Sequence, residues 1–267
     1  MEQRTQFSGL WAVILGGSGG FGYATAHKLA LHGMNVAVVY RETAIADKQV
    51  RENYKALAEQ NNITTLLYNI NALDDAARAS FIDDLSNKTT GKVKVLLHAI
   101  ARGNLKPLIT ETNDEQAELS MHDIQLTTYA MSNSLLDWVR DLLKAGLFHS
   151  DARVIGLTSE GVNKYWDGYA AVSIAKASLQ SLTTYMAVEF GKYGIKTNLV
   201  QAGITETLSL KKIPGSEQLL AHAAARNPAG RITQPGDVAN AVYLLCTDEA
   251  FWINGALIHV DGGEHCK

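Results

Sequence analysis

Tyr169 and Lys176 stand seven residues apart in Gly168–Phe190, a stretch that reads as one helix. Two helical turns take about 7.2 residues, so both side chains share a face, roughly 10 Å apart along the axis. Upstream, Gly16-Gly-Ser-Gly-Gly-Phe-Gly22 follows the apolar run Leu10–Leu15 and opens a helical pattern. At such a junction free backbone N–H groups and the helix dipole face an incoming pyrophosphate. Gly16, Ser18, Gly19, Gly20, Phe21 and Gly22 are the candidate contacts. A dinucleotide turn with a co-facial acid and cation is equipment for hydride transfer with proton delivery. Each part alone has a plainer reading, as a flexible turn or as an amphipathic helix with an interface tyrosine and a surface lysine.

Strand-like and helix-like stretches must position these residues, and they alternate along the whole chain. Strands are expected at Leu10–Leu15, Asn35–Tyr40, Ile63–Ile70, Val93–Ala99, Arg153–Thr158, Ile195–Gln201 and Ala256–Val260. Helices are expected at Gly20–His32, up to Gln60, at Asp74–Asn87, from about Asp114 to Ala145, at Gly168–Phe190 with Asp167 as N-cap, and near Gly236–Cys246. The stretch from about 202 to Thr233 reads as irregular. Continuous apolar strands between helices imply an α/β Rossmann fold, a doubly wound parallel sheet of about seven strands covered on both faces. Ligands in such sheets bind beyond the carboxyl ends of the strands. Asn69 and Ile70, Ala99, Ile100 and Ala101, Thr158 and Ser159, and Ala202–Thr207 (with Gly203, Thr205 and Thr207) all fall at such ends.

The 267 residues, 46% of them apolar, are enough for one large core, and no composition break, repeat or linker divides the chain. A single domain is expected over 1–267. The formal charge of −3 argues against a nucleic-acid partner. No apolar run reaches the ~18 residues of a membrane span, and the polar start lacks a signal-peptide pattern, so a cytoplasmic protein is expected. Cys246 falls in an apolar helical stretch and Cys266 near the C-terminus, without redox spacing. The eight histidines lack the spacing of a metal motif, so no metal site is expected.

The second strand ends Val39-Tyr40-Arg41-Glu42. A carboxylate there binds the ribose diol of NAD, whereas arginine accommodates a 2′-phosphate. Tyr40 and Arg41 therefore read as cofactor contacts favouring NADPH over NADH, with Glu42 pulling the other way.

The glycine turn, the Tyr–Lys helix, Asn198, Ala202-Gly203 and Asp261-Gly262-Gly263 together resemble the short-chain dehydrogenase/reductase family over essentially the whole chain. Most of that family places the tyrosine four residues before the lysine, where this chain has Val172. Tyr169, seven before Lys176, is similar instead to the enoyl-acyl-carrier-protein reductase branch, which reduces the C2–C3 double bond of a fatty acyl thioester. Leu97-His-Ala-Ile-Ala101, Glu189–Asn198 and Asn227-Pro-Ala-Gly-Arg231 resemble that branch as well. Tyr165, four before Tyr169, resembles its NADPH-using subgroup; Ser159 stands where the NADH form carries a tyrosine. Asn69 replaces the family's usual aspartate near the adenine.

A physical reason supports the spacing. In carbonyl reduction the carbon that takes hydride bears the oxygen that takes the proton. In enoyl reduction hydride goes to C3 while charge develops on the thioester oxygen, further along. Moving the tyrosine from 172 to 169 shifts it about 4.5 Å along the helix. The resemblance implies that Tyr169 donates to the developing enolate, that Lys176 orients the nicotinamide ribose and improves Tyr169 as a donor, and that Ser159 or Tyr165 adds a second contact. It further implies a mobile substrate lid at about 205–230, a homotetramer, and an enoyl thioester on acyl carrier protein or CoA as substrate. Lys211, Lys212, Arg226 and Arg231 are candidates to meet an acidic carrier. Two rivals stay open: a carbonyl or alcohol dehydrogenase such as a 3-oxoacyl reductase, and a non-catalytic NADP(H)-sensing protein.

Overall fold

The computed structural model describes residues 6–89, 92–111, 114, 116–213 and 215–267; Pro214, within the lid expected at about 205–230, lies outside them. Among these residues seven strands form one sheet in the order β3-β2-β1-β4-β5-β6-β7, every neighbouring pair parallel. They are β1 Trp11–Leu15, β2 Asn35–Tyr40, β3 Thr65–Asn69, β4 Val93–His98, β5 Phe148–Thr158, β6 Ile195–Ala202 and β7 Leu257–Val260. Chain order reverses between β1 and β4. This opens a crevice at their carboxyl ends, where Leu15 pairs with both Val39 and His98.

Alternation along β1 shows why its run is uniformly apolar. Ala12 and Ile14 face a core built with α1 (Gly20–Ala30), α2 (Ala44–Asn61) and α8 (Pro235–Cys246). Trp11, Val13 and Leu15 face a second core with α3 (Asp75–Lys88), α5 (Ser134–Lys144) and α6 (Ala170–Glu189). Trp138 of α5, fully buried, meets Phe81 of α3 edge-on at 5.1 Å between centroids. Cys246 is buried in the first core and Cys266 is exposed.

The expected helix from 114 to 145 is shorter and broken. It begins as α4 (Met121–Thr128), where Ser120 and Asp123 form a capping box, and passes through a π turn at Tyr129–Asn133 before α5. The widened turn lies against α6, where Ser132 donates to Ser178 at 3.2 Å. Strand β5 starts five residues before the expected Arg153, and α7 (Ser216–Arg226) occupies part of the stretch read as irregular. That helix, SEQLLAHAAAR, buries little besides Ala223, so it has alanine-rich propensity without a strong apolar stripe.

At the amino ends of β4, β5 and β6 a charged cluster enters the core. The Asp151 carboxylate accepts hydrogen bonds from Lys94 (2.6 Å), Lys196 (2.6 Å) and Arg153 (2.5 and 3.1 Å). Arg153, fully buried, also donates to the carbonyl of Leu245 at 2.7 Å. Burial alone would raise the Asp151 pKa, but the three cations hold it well below the usual carboxylate range.

Candidate active site

The glycine turn joins β1 to α1 with almost no room to spare. Gly16 has φ +88°, and a Cβ there would lie 2.6 Å from the Ala99 carbonyl oxygen. One on Gly22 would lie 2.3 Å from the Gly16 carbonyl oxygen. Gly19 precedes α1 as an N-cap with no side chain to satisfy the first N–H groups. The result is a cradle that fits a pyrophosphate. Thr207 reaches this helix start from the far wall, its Cγ2 3.6 Å from where a Gly20 Cβ would be, while its hydroxyl accepts from Leu210 N–H.

Beyond the turn a cleft runs over the carboxyl ends of β4, β5 and β6. Phe21, Ala99, Ile100 and Ala101 line one side; Thr158, Ser159, Tyr169 and Lys176 form the floor; Gly203 and Thr205 lie opposite. Thr158 Oγ1 is buried without a hydrogen-bond partner, an unmet polar group facing the site. Thr205, also buried, donates to the Gly203 carbonyl at 3.0 Å.

Tyr169 does not sit within the helix: it is the N-cap residue of α6, at φ −94° and ψ 1°, in the place expected for Asp167. Its hydroxyl lies near Ser159, whose own Oγ accepts from Gly161 N–H at 3.2 Å. The ring presents its edge to Gly161, where a Cβ would approach Cε1 to 2.6 Å. Burial raises the phenol pKa and Ser159 only partly opposes this, so Tyr169 stays a protonated donor at neutral pH. Tyr165 stands apart, 87% exposed at the rim, with its hydroxyl 3.4 Å from Asp167. Val172 is buried against Gly103, Thr127 and Met131, so the nearer slot presents only hydrocarbon.

Lys176 is buried too, donating to the Leu157 carbonyl at 2.7 Å. Burial pushes its pKa down to about 8. The sign follows directly: the ammonium is intact below that value and lost as pH rises through it. Affinity for an anionic dinucleotide is therefore expected to weaken by about three- to tenfold between pH 7 and 9.5, the bound anion moving the midpoint upward. Fluorescence titration checks this. A Lys176→Met variant should show no such slope, and an equal slope in both proteins would remove Lys176 as its source. His98, beneath the site, shares a hydrogen bond with Ser134 at 3.0 Å; burial, helped by Lys176, pushes it down to about 3 and keeps it neutral.

At the carboxyl ends of β2 and β3 several of the expected contact residues have partners within the fold. The Tyr40 side chain turns into the fold and donates to Asp47 at 2.6 Å, leaving only its backbone at the strand end. Asn69 is engaged with residue 42: its Oδ1 accepts from Glu42 N–H (2.9 Å) and its Nδ2 donates to the Glu42 carbonyl (3.1 Å). Ile70 N–H donates to the Tyr40 carbonyl, and its side chain packs on the core. Arg41 is exposed at the end of β2, and the Glu42 carboxylate accepts from Ser18 of the glycine turn at 2.8 Å.

Basic residues expected to meet a carrier are largely engaged at home. Lys211 pairs with Glu206, Arg231 with Asp237, and Arg226 with Glu160 and Glu264; Lys212 lines the cleft. Sequence reasoning missed Gly161 and the Arg226–Glu264 pair. A glycine two residues after a candidate serine was the available signal for the first, and the second had none.

The structure also gathers His259, Asp261 and His265, whose ligand-type atoms lie within 4.8 Å of one another, a trio that linear spacing did not reveal. The imidazoles stack at 3.9 Å and only 16° from parallel, and His265 Nδ1 is 2.6 Å from Asp261 Oδ2. Parallel rings aim their lone pairs past one another, so a shared ion requires one ring to turn.

Comparison with known proteins follows this geometry. The family described as Enoyl-(Acyl carrier protein) reductase matches residues 16–265. The Aquifex aeolicus protein named enoyl-acyl-carrier-protein reductase (NADH) FabI is 30% identical over 178 residues, covering 66% of this chain and 63% of that protein. Its crystal structure superposes with a TM-score of 0.83 at 25% identity over 98% of each chain. A Bacillus subtilis protein named probable 2,4-dienoyl-CoA reductase is 29% identical over 263 residues, covering 94% and 95%.

Proposed function

From the premise that the chain belongs to the enoyl-(acyl carrier protein) reductase family of short-chain oxidoreductases, we propose that it reduces the C2–C3 double bond of a trans-2-enoyl thioester with NADPH in fatty acid synthesis. The observation that carries this reading is a partly buried, protonated Tyr169 at the start of α6, with Val172 filling the slot a carbonyl reductase would need for its donor.

The residues present fit a nicotinamide dinucleotide. Gly16–Gly22 and the α1 N-terminus would hold its pyrophosphate, Lys176 and Thr158 the nicotinamide ribose region, and Thr205 and Thr207 the opposite wall. Bound there, such a cofactor supplies the hydride that C3 accepts. Tyr169 donates a hydrogen bond to the thioester oxygen, where negative charge collects, so its contact strengthens in the transition state, and a solvent proton taken up at C2 completes the reduction. Ser159, near the same hydroxyl, would add a second contact to that oxygen. Lys176 holds a positive charge beneath the site, and Val172, Met131 and Leu105 supply an apolar wall for the acyl chain.

The substrate would arrive on acyl carrier protein or CoA, with residues 205–230 as a lid. The exposed Tyr185, Val188 and Trp252 give the proposed cytoplasmic homotetramer apolar surface to bury. The test is oxidation of NADPH or NADH with crotonyl-CoA and with a longer enoyl-acyl carrier protein. Turnover of a 3-oxoacyl substrate instead would transfer the assignment to the carbonyl rival; cofactor binding without either reaction would favour a sensing protein.

NADPH rests on Arg41 against Glu42, and the Aquifex relative carries NADH in its name. Arg41→Ala is expected to weaken NADPH by about tenfold with little effect on NADH, the loss of one charge-assisted phosphate contact. Equal weakening of both cofactors would overturn the NADPH preference.

A further inference from the structure

Three segments around the cleft meet at one guanidinium. Arg226 ends α7, and its Nη2 donates to Glu160 Oε1 at 2.5 Å and to Glu264 Oε1 at 2.7 Å. Glu160 directly follows Ser159, the neighbour of Tyr169, and Lys164 lies 3.1 Å from its other oxygen. The Glu264 side chain is 2% exposed, and its Oε2 accepts from Ile204 N–H at 3.3 Å. That same oxygen lies 2.8 Å from where a Gly203 Cβ would be. One buried carboxylate thus supports the Gly203–Thr207 wall, one flanks the Ser159–Tyr169 wall, and a single cation joins them to the helix that edges the mouth.

Charge explains why the junction is specific. A carboxylate as buried as Glu264 is costly to leave without hydrogen-bond and cation partners of good geometry. Here one rigid guanidinium nitrogen, Nη2, serves both carboxylates, and its planar N–H geometry fixes their directions as the freely rotating ammonium of a lysine would not. The next residue, Asn227, is buried and donates to the Asp261 carbonyl at 2.7 Å, anchoring the root of the lid.

We infer that Arg226 is a positioning residue that sets the separation of the two cleft walls and the rest position of α7 through Glu160 and Glu264. It touches no reacting atom. The kinetic part of this inference rests on the enoyl-thioester reading above; the structural part does not.

The test uses the full-length protein and the variants Glu160→Gln, Arg226→Lys and their double, with Arg226→Gln/Glu264→Gln as a charge-neutral version that leaves no lone buried ion. Amide hydrogen exchange and steady-state kinetics are measured on each. Exchange across residues 160–169 and 216–226 is expected to quicken about tenfold in Glu160→Gln. KM for the enoyl thioester should rise about tenfold while kcat changes less than threefold, because the walls and not the donor have moved. Glu160→Gln and Arg226→Lys should be non-additive, the double behaving like the more severe single. Wild-type exchange in Glu160→Gln, strictly additive effects, or a kcat loss at constant KM would each overturn the inference. Should wild-type protein reduce no enoyl thioester, the functional reading fails, while the exchange result still decides whether Arg226 ties the walls.

Discussion

Tyr169→Phe is expected to lower kcat for enoyl-thioester reduction by about 10²–10³-fold, the usual consequence of deleting one donor to a developing oxyanion. Dinucleotide affinity should stay within about twofold of wild type, because the substitution removes one hydroxyl and leaves the cradle and Lys176 in place. The ring itself has no reason to move: its edge lies beside Gly161, whose missing Cβ makes room for it. Ser159 stands near the same hydroxyl, so Ser159→Ala should show part of the same kcat loss. Stopped-flow measurement of NADPH oxidation under single turnover separates this chemical step from product release. Undiminished turnover by the phenylalanine variant would remove Tyr169 from the mechanism.

Asp151→Ala is the expected severe lesion of stability. Lys94 is 4% exposed and Arg153 fully buried, and both lose the carboxylate that compensates them. Arg153 keeps carbonyl partners at Leu245 and Thr247, whereas Lys94 loses the carboxylate 2.6 Å away. Removing one partner of such a buried group costs about 3–5 kcal/mol. In a chain of this size that lowers the melting midpoint by roughly 10 °C. Acid should act in the same direction. The folded-state pKa of Asp151 lies below its unfolded value, so its contribution is complete above the ordinary carboxylate range and is lost as pH falls beneath it. Asp151→Ala should accordingly lose less stability than wild type between pH 5 and 3. A midpoint within about two degrees of wild type at neutral pH would show that the carbonyls suffice.

What the sequence disclosed was whatever depends on near neighbours. The glycine turn, the β2 run NVAVVY and the helix beginning near Asp74 are local patterns, and each appears where it was expected. The parallel, doubly wound sheet followed from strand–helix alternation, whereas its strand order depends on pairing between distant segments. Less was visible where an interaction joins distant segments. The approach of Ser159 to Tyr169 depends on the loop between them folding back over Gly161, and no periodicity announces that. Arg226 meets Glu264 only after α7, α8 and β7 are in place. The π turn at Tyr129–Asn133 was hidden because its residues continue a helical pattern; the widened geometry arises against α6. Asp167 was chosen as an N-cap from propensity, but the chain enters α6 through Gly168 at φ +66° and places Tyr169 there instead.

The join between β2 and β3 has an evolutionary consequence. Asn69 grips the main chain of residue 42, not its side chain. Any residue but proline, which lacks the N–H, can therefore be held in the same position. The side chain that meets Ser18 and borders Arg41 is then free to change under selection while the sheet that carries it stays as it was.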